Sequence, residues 1–398
     1  MLTSRLLDDA RAIEGRITAL RRAIHAEPEL GLETPATLAK VRTELADLPL
    51  SWREGASATG AVAVLQGASP GPSVLLRGDM DALPMQEETG LPFASTIPGR
   101  MHACGHDTHT AMLAGAARIL AGRREELAGE VHFMFQPGEE GFHGARYMIE
   151  DGLLDPLPDA AFALHIMPNS PHGVVAGKTG AMLAAADMIE ITINGRGGHA
   201  SMPHDCIDPV PAAAAIVTGL QAMVTRRFAA AEATVVTITR MDAGTAHNII
   251  PNFATLRGTM RTLSSERREA VREAIVEVAG GIAAAHGCSA EVEFIDGFPV
   301  TLNDERAIAL GRSVAHDMGG EAGWHQMAHS LMGAEDFSYV LEKVPGAMFF
   351  LGVAHEGEDW AHCCGIHSSH MMVDESVLPK GTAFLAACAT RFLEQGWG

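Results

Sequence analysis

The feature that most constrains the fold is a change in element order along the 398-residue chain. Through about residue 186, short apolar segments alternate with helix-like ones. Ala61-Val-Ala-Val-Leu65 and Ser73-Val-Leu-Leu76 are apolar throughout and bounded by Gly and Pro, as strands buried on both faces are. A periodic stretch (Leu6, Ile13, Ile17, Leu20, Ile24) precedes them and reads as helix. Further helices are expected over residues 108–120, with Asp107 capping the first turn, and over 143–151, with strands over 130–135 and 160–165. Alternation of this kind specifies an α/β fold built on a mostly parallel sheet.

From Asp187 the order becomes strand, helix, strand, strand, helix, strand, and after Gly297 the alternation resumes with a helix (303–318), a strand (347–353) and a last helix (379–395). The βαββαβ stretch is the order of a ferredoxin-like unit. The expected organisation is therefore one discontinuous α/β domain, residues 1–186 and 298–398, with an inserted domain at 187–297.

Composition narrows the function classes. With 29 Lys+Arg against 49 Asp+Glu the formal charge is −20, which argues against nucleic acid as the main partner, because phosphate neutralisation needs basic clusters. The N-terminal residues mix charges through an amphipathic pattern without the apolar core of a signal peptide. The most apolar segment, residues 210–224, contains Thr218, Gly219 and Gln221 and is too short to span a bilayer. The expectation is a cytoplasmic protein without membrane contact, its six cysteines reduced.

Nineteen histidines are more telling, since several stand beside Asp, Glu and Cys. Four segments fall at strand ends or helix starts: Arg77-Gly-Asp-Met-Asp81, His102-Ala-Cys-Gly-His-Asp-Thr-His109, Gln136-Pro-Gly-Glu-Glu-Gly141 and Leu164-His-Ile-Met-Pro168. In open α/β sheets the carboxyl ends of the strands are where ligands bind. Singly, each segment has a plain explanation: Asp79 and Asp81 as a solvated turn, Glu139 and Glu140 as an acidic loop tip, His165 as a hydrogen-bonded core residue, Cys104 as a small apolar one. Together they are a set of divalent-metal donors recurring at successive strand ends. Of two adjacent glutamates, one can hold metal while the other moves a proton. Thiolate plus imidazole favours zinc, with manganese or cobalt also open.

Residues 102–110 and 136–141, together with Gly195-Arg-Gly-Gly-His-Ala-Ser201, His247-Asn-Ile-Ile-Pro251 and Gly333-Ala-Glu-Asp-Phe337, resemble the M20 metallopeptidase clan. The resemblance is to subfamily D, the N-acyl-amino-acid amidohydrolases: hippurate hydrolases, aminoacylases, auxin-conjugate hydrolases and N-acetyl-diaminopimelate deacetylases. It implies two divalent ions per subunit held by Cys104, His106, Glu140, His165 and His367, with Glu139 as general base and Asp81 orienting a ligand. It also implies that the inserted domain acts as a lid and joins subunits into a homodimer or homotetramer. His199 would then reach a neighbouring subunit's site and polarise the scissile carbonyl, while Asn248 and Arg261 would hold the substrate's carboxylate or carbonyl oxygen.

The chain departs from the subfamily after His367, where Ser368-Ser-His370 replaces the usual aromatic and His362, Cys363, Cys364 and His370 compete as the fifth ligand. Arg257 and Arg261, four positions apart on an expected strand, face one side. The implied reaction is hydrolysis of the amide bond of an N-acyl-amino acid. A dipeptidase or carboxypeptidase using the same ions, and a catalytically idle binder of acyl-amino acids, are the competing readings.

Overall fold

The computed structural model describes residues 2–357, 359–362 and 364–398. By internal contacts these form two compact units. The first comprises the chain up to Met182, Leu302–His329 and Asp336–Gly398; the second comprises Leu183–Thr301 and Ser330–Glu335.

The first unit is built on an eight-stranded sheet. Its centre is parallel: Ala128–Gln136, Ser69–Asp79, Ala160–Met167 and Gly346–Gly352 lie side by side, and all four run the same way. The flanks turn antiparallel, where Ala61–Gln66 pairs with Ala128–Gln136 and Val175–Gly177 pairs with Gly346–Gly352. The central strands are apolar on both faces because helices cover both. His106–Ala121 and Leu378–Gln395 belong to one core with Phe133, Phe162, Phe349 and Phe384.

The helix expected at residues 108–120 begins earlier, at His106, and its N-cap is Gly105 in the left-handed region (φ 85°). A side chain there would also collide with Ile166, since a Cβ on Gly105 would lie 2.4 Å from its Cγ1. Asp107 caps nothing. Its carboxylate accepts instead from Arg21 Nε (2.7 Å) and pairs with His25 Nδ1 (2.8 Å), both on the Glu14–His25 helix. A long-range charged pair outcompeted the local cap. Burial alone would lower the His25 pKa, but Asp107 and Glu87 carry it to about 9, so the ring stays cationic and secures the first turn of the helix that bears His106.

The second unit has a four-stranded antiparallel sheet in which the strands at Ala185–Asn194, Thr234–Ala243, Phe253–Thr262 and Ser289–Asp296 take the spatial order second, third, first, fourth. With the helices Pro209–Arg227 and Ser265–Ala285 this is βαββαβ. One sheet face packs on the helices through Ile189, Ile191, Ile193, Leu256 and Ile275. Among the described residues, no helix is long and apolar enough to cross a membrane.

Candidate metal centre

The centre lies at the carboxyl edge of the parallel strands of the first unit. Ser69–Asp79 delivers Asp79 at its end and Asp81 just beyond; Ala128–Gln136 leads into the loop holding Glu139 and Glu140; Ala160–Met167 delivers His165. Cys104 and His106 flank the left-handed Gly105 at the head of the helix. His367 comes from the loop after Gly346–Gly352, and its amide donates to the carbonyl of Ala103 (2.7 Å).

Donor atoms converge in several groupings, two of which share Cys104 while another joins His106 to Glu139 and Glu140. Of the two triads with Cys104, Cys104, His106 and His165 form one and Cys104, Glu140 and His367 the other, with all donor atoms of each triad within 4.8 Å of one another. Cys104 therefore belongs to both. Its Sγ is 3.4 Å from His165 Nε2, and His367 Nε2 is 3.2 Å from Glu140 Oε1. The first triad is fully buried, whereas the His367 side chain is half-exposed. Of the competing residues near His367, His362 pairs with Asp359 and His370 lies near Glu88, Cys364 is exposed, and Cys363 falls outside the described residues.

Hydrogen bonds set which nitrogen faces inward. His165 Nδ1 donates to the carbonyl of Ile166 (2.6 Å), so Nε2 presents its lone pair to Cys104. Burial holds the His165 pKa well below the imidazole range, which keeps that pair available. Asp81 does three things at once. Its oxygens accept the backbone N–H groups of Glu139 (3.0 Å) and Glu140 (3.1 Å), and Oδ1 stands 3.4 Å from His106 Nδ1. The Glu139–Glu140 backbone is thus fixed by the same carboxylate that faces His106.

The residues fit a divalent cation on two counts. Both ring nitrogens of the wholly buried His106 lack a hydrogen bond, although carboxylate oxygens of Asp79, Asp81, Glu139 and Glu140 lie 3.4–4.0 Å away. A cation would satisfy both the orphan nitrogen and the surplus of acid. The donor set of thiol, imidazole and carboxylate is also that of a borderline-soft ion. A further grouping, Asp79, His106 and His109, is closed to metal: Arg77 Nη1 sits 2.5 Å from Asp79, and His109 Nε2 is taken by the Ile166 N–H (2.8 Å).

In the second unit a two-residue ribbon pairs Gly198–His199 with Ile249–Ile250, which brings Asn248 beside His199. The Ser201 N–H points at His199 Nδ1 (3.2 Å), so that nitrogen is the acceptor and Nε2 carries the proton on an exposed ring. Arg261 and Arg257 share the Phe253–Thr262 strand but differ. Arg257 is engaged bidentately by Glu190 (2.8 and 3.1 Å), whereas Arg261 has no carboxylate in ion-pair reach among the described residues and is held by Thr259 Oγ1 and the Met260 carbonyl.

Sequence reasoning left Asp79, His109 and Arg77 without roles. All three are buried beside the centre. One signal was available: His109 follows His106 by three positions on one helix, hence on the same face.

Sheet edge and donor set together define a metal-dependent hydrolase. The chain belongs to peptidase family M20/M25/M40, whose model matches residues 75–391. It is 39% identical to an N-acetylcysteine deacetylase of Bacillus subtilis, over 96% of this chain and 98% of that one. It is 38% identical to the IAA-amino acid hydrolase ILR1-like 4 of Arabidopsis thaliana, over 95% and 86% respectively. Among solved structures it resembles the Bacillus subtilis YXEP protein, described as a dinuclear metal-binding peptidase of the M20 family, with a TM-score of 0.85 and 36% identity over 97% and 99% of the two chains.

Proposed function

We propose that the protein hydrolyses the amide bond of N-acyl-L-amino acids, releasing a carboxylic acid and a free amino acid, with two divalent cations per subunit. The observation that carries this reading is the shared position of Cys104 in both donor triads, with Glu139 beside them. Cys104, His106 and His165 would hold one cation, and Cys104, Glu140 and His367 the other. Zinc suits the thiolate and imidazoles best, with manganese or cobalt as substitutes. When bound, such a pair of ions polarises a carbonyl oxygen and acidifies a water molecule.

The chain's own groups supply the rest. Glu139 is the general base: it takes the proton of the attacking water and returns it to the leaving amine nitrogen. Asp81 holds the Glu139 and Glu140 amides in place and orients His106. His199, with its proton on Nε2, is the donor to the developing oxyanion, and a second subunit is proposed to supply it. Arg261, with no carboxylate in ion-pair reach among the described residues, receives the carboxylate of the amino acid together with Asn248. The protein is read as a cytoplasmic homodimer or homotetramer joined through its second unit, residues 187–297 at its heart, acting as lid and subunit contact.

Incubation with acetyl-, benzoyl- and fatty-acyl-amino acids alongside dipeptides tests the reading. Hydrolysis of the acyl-amino acids should vanish on chelation and return with zinc, manganese or cobalt. Preference for dipeptides would move the assignment to a peptidase, and ligand binding without any turnover would make the protein a binder.

A further inference from the structure

We propose that His109 is a positioning residue that fixes the donor nitrogen of His165, and through it the affinity of the buried Cys104/His106/His165 position for a divalent cation. The inference rests on the two-cation reading above.

The N–H of Ile166 can only donate, and it donates to His109 Nε2 at 2.8 Å. That nitrogen must therefore carry the lone pair, and the ring proton sits on Nδ1. Nδ1 in turn is 2.6 Å from Asp79 Oδ1, and the other oxygen of that carboxylate accepts from Arg77 Nη1. On the far side of Ile166 its carbonyl accepts from His165 Nδ1 (2.6 Å), which leaves His165 Nε2 facing Cys104. The result is one connected network in which Arg77 and His109 both donate to Asp79, the Ile166 amide donates to His109, and His165 donates to the Ile166 carbonyl.

Sheet geometry shows why an imidazole is needed there. The strand Ser69–Asp79 pairs with Ala160–Met167 only as far as Arg77 opposite Ala163. Past that point Ile166 keeps its ladder partner Leu351 on one side only, and on the other the His109 ring takes its amide in place of the strand Ser69–Asp79. Ile166 also presses on Gly105, between Cys104 and His106, so close that no side chain could be added there. One residue thus touches both arms of the buried triad, and His109 holds its amide. Ring centroids of His109 and His165 lie 4.5 Å apart, so the two imidazoles pack as well.

The second triad is held by other contacts: the Glu140 amide donates to Asp81 and the His367 amide to the Ala103 carbonyl, and among the described residues neither bonds to His109. His367 is half-exposed on a loop, adopts φ 63°, and is joined to Glu140 directly. The two positions should therefore differ: a preset buried one that depends on His109 and an adaptable outer one that does not.

Cobalt(II) titration of the metal-free protein tests this, read by equilibrium dialysis and by the thiolate-to-cobalt absorption, with H165A marking which position is affected. H109Q keeps an acceptor where Nε2 stands; H109N keeps a polar group near Asp79 but cannot reach the Ile166 amide. H109N is expected to lose about 10–100-fold in affinity at the position that H165A abolishes, the usual cost of removing a group behind a ligand. H109Q should stay near wild type, and both should leave the outer position unchanged. Loss of a mere packing contact would affect the two variants alike. Wild-type cobalt binding in H109N, equal effects of H109N and H109Q, or a metal-free H109N that no longer folds would each overturn the proposal. Fewer than two cobalt ions in the unaltered protein would instead overturn the two-cation reading on which it stands.

Discussion

The amide of His367 donates to the carbonyl of Ala103 at 2.7 Å, which splices a loop from the last quarter of the chain onto the residue preceding Cys104. His367 holds this place with φ 63°, and His143, in the loop of the two glutamates, with φ 59°; they are the two non-glycine residues with positive φ among those described. Left-handed backbone at a non-glycine residue persists where surrounding contacts over-determine it, commonly at functional sites.

Because Cys104 serves both triads, its loss should cost more metal than the loss of any other donor. C104A is expected to retain no tightly bound cation, whereas H165A and H367A each retain one. Atomic absorption on dialysed protein reads the counts directly, and one cation left in C104A would show that the thiolate is not shared.

Replacing Glu139 by Gln preserves size and removes the base. Turnover of an N-acyl-amino acid should fall by about 10²–10⁴-fold, the usual worth of a general base, while both cations remain. Activity near wild type would end the assignment of Glu139, and loss of a cation would make it a ligand.

Most of these donors stand out in the sequence by their neighbours: a cysteine and a histidine around a glycine, two glutamates after Pro-Gly, a histidine closing an apolar strand; His367 was suggested only by the resemblance to the M20 clan. The central strands were legible for a related reason, since apolar runs bounded by Gly and Pro leave few alternatives. The support network was hidden. Asp107 reads as a helix cap by every local rule, yet its partner His25 lies 82 residues away, and Glu87, the other partner of His25, lies 62 away. Asp79 reads as a polar turn, but Arg77 and His109 close over it and bury it completely. Short-range pattern cannot report pairings that only the tertiary fold creates.

The second unit carries a pH-dependent element of its own. The Asp187 side chain is fully covered, and burial by itself would raise its pKa, but Arg268 (2.5 and 2.8 Å) and Arg272 hold it below the ordinary carboxylate range. A folded-state value below the unfolded one means the stabilisation is complete above pH of about 4 and is lost as the pH falls through the folded value. D187N should lower stability near neutral pH by about 1 kcal/mol, because Arg268 and Arg272 lose the covered carboxylate between them while Arg272 keeps Asp296, and should flatten the acid limb of the melting curve. Unchanged melting at pH 7 would show that the pair contributes nothing.

If His199 serves a neighbour's site, two inactive chains should rescue each other. Mixing H199A with E139Q leaves one complete site in each heterodimer, so random pairing restores about a quarter of the wild-type sites. Recovery is read as turnover after co-refolding, and none at all would mean that each subunit is self-sufficient.

The strand Gly346–Gly352 lies in the interior of the eight-stranded sheet, between Ala160–Met167 and Val175–Gly177, although it is made after the whole second unit. During synthesis the sheet must therefore wait with a gap at its middle, its Ala160–Met167 edge open to the wrong partners until roughly the last fifty residues leave the ribosome. His367 arrives later still. A cation cannot template the nascent chain through a complete pair of triads, and a chain cut short before Gly346 is condemned to an unfinished sheet rather than to a smaller working enzyme.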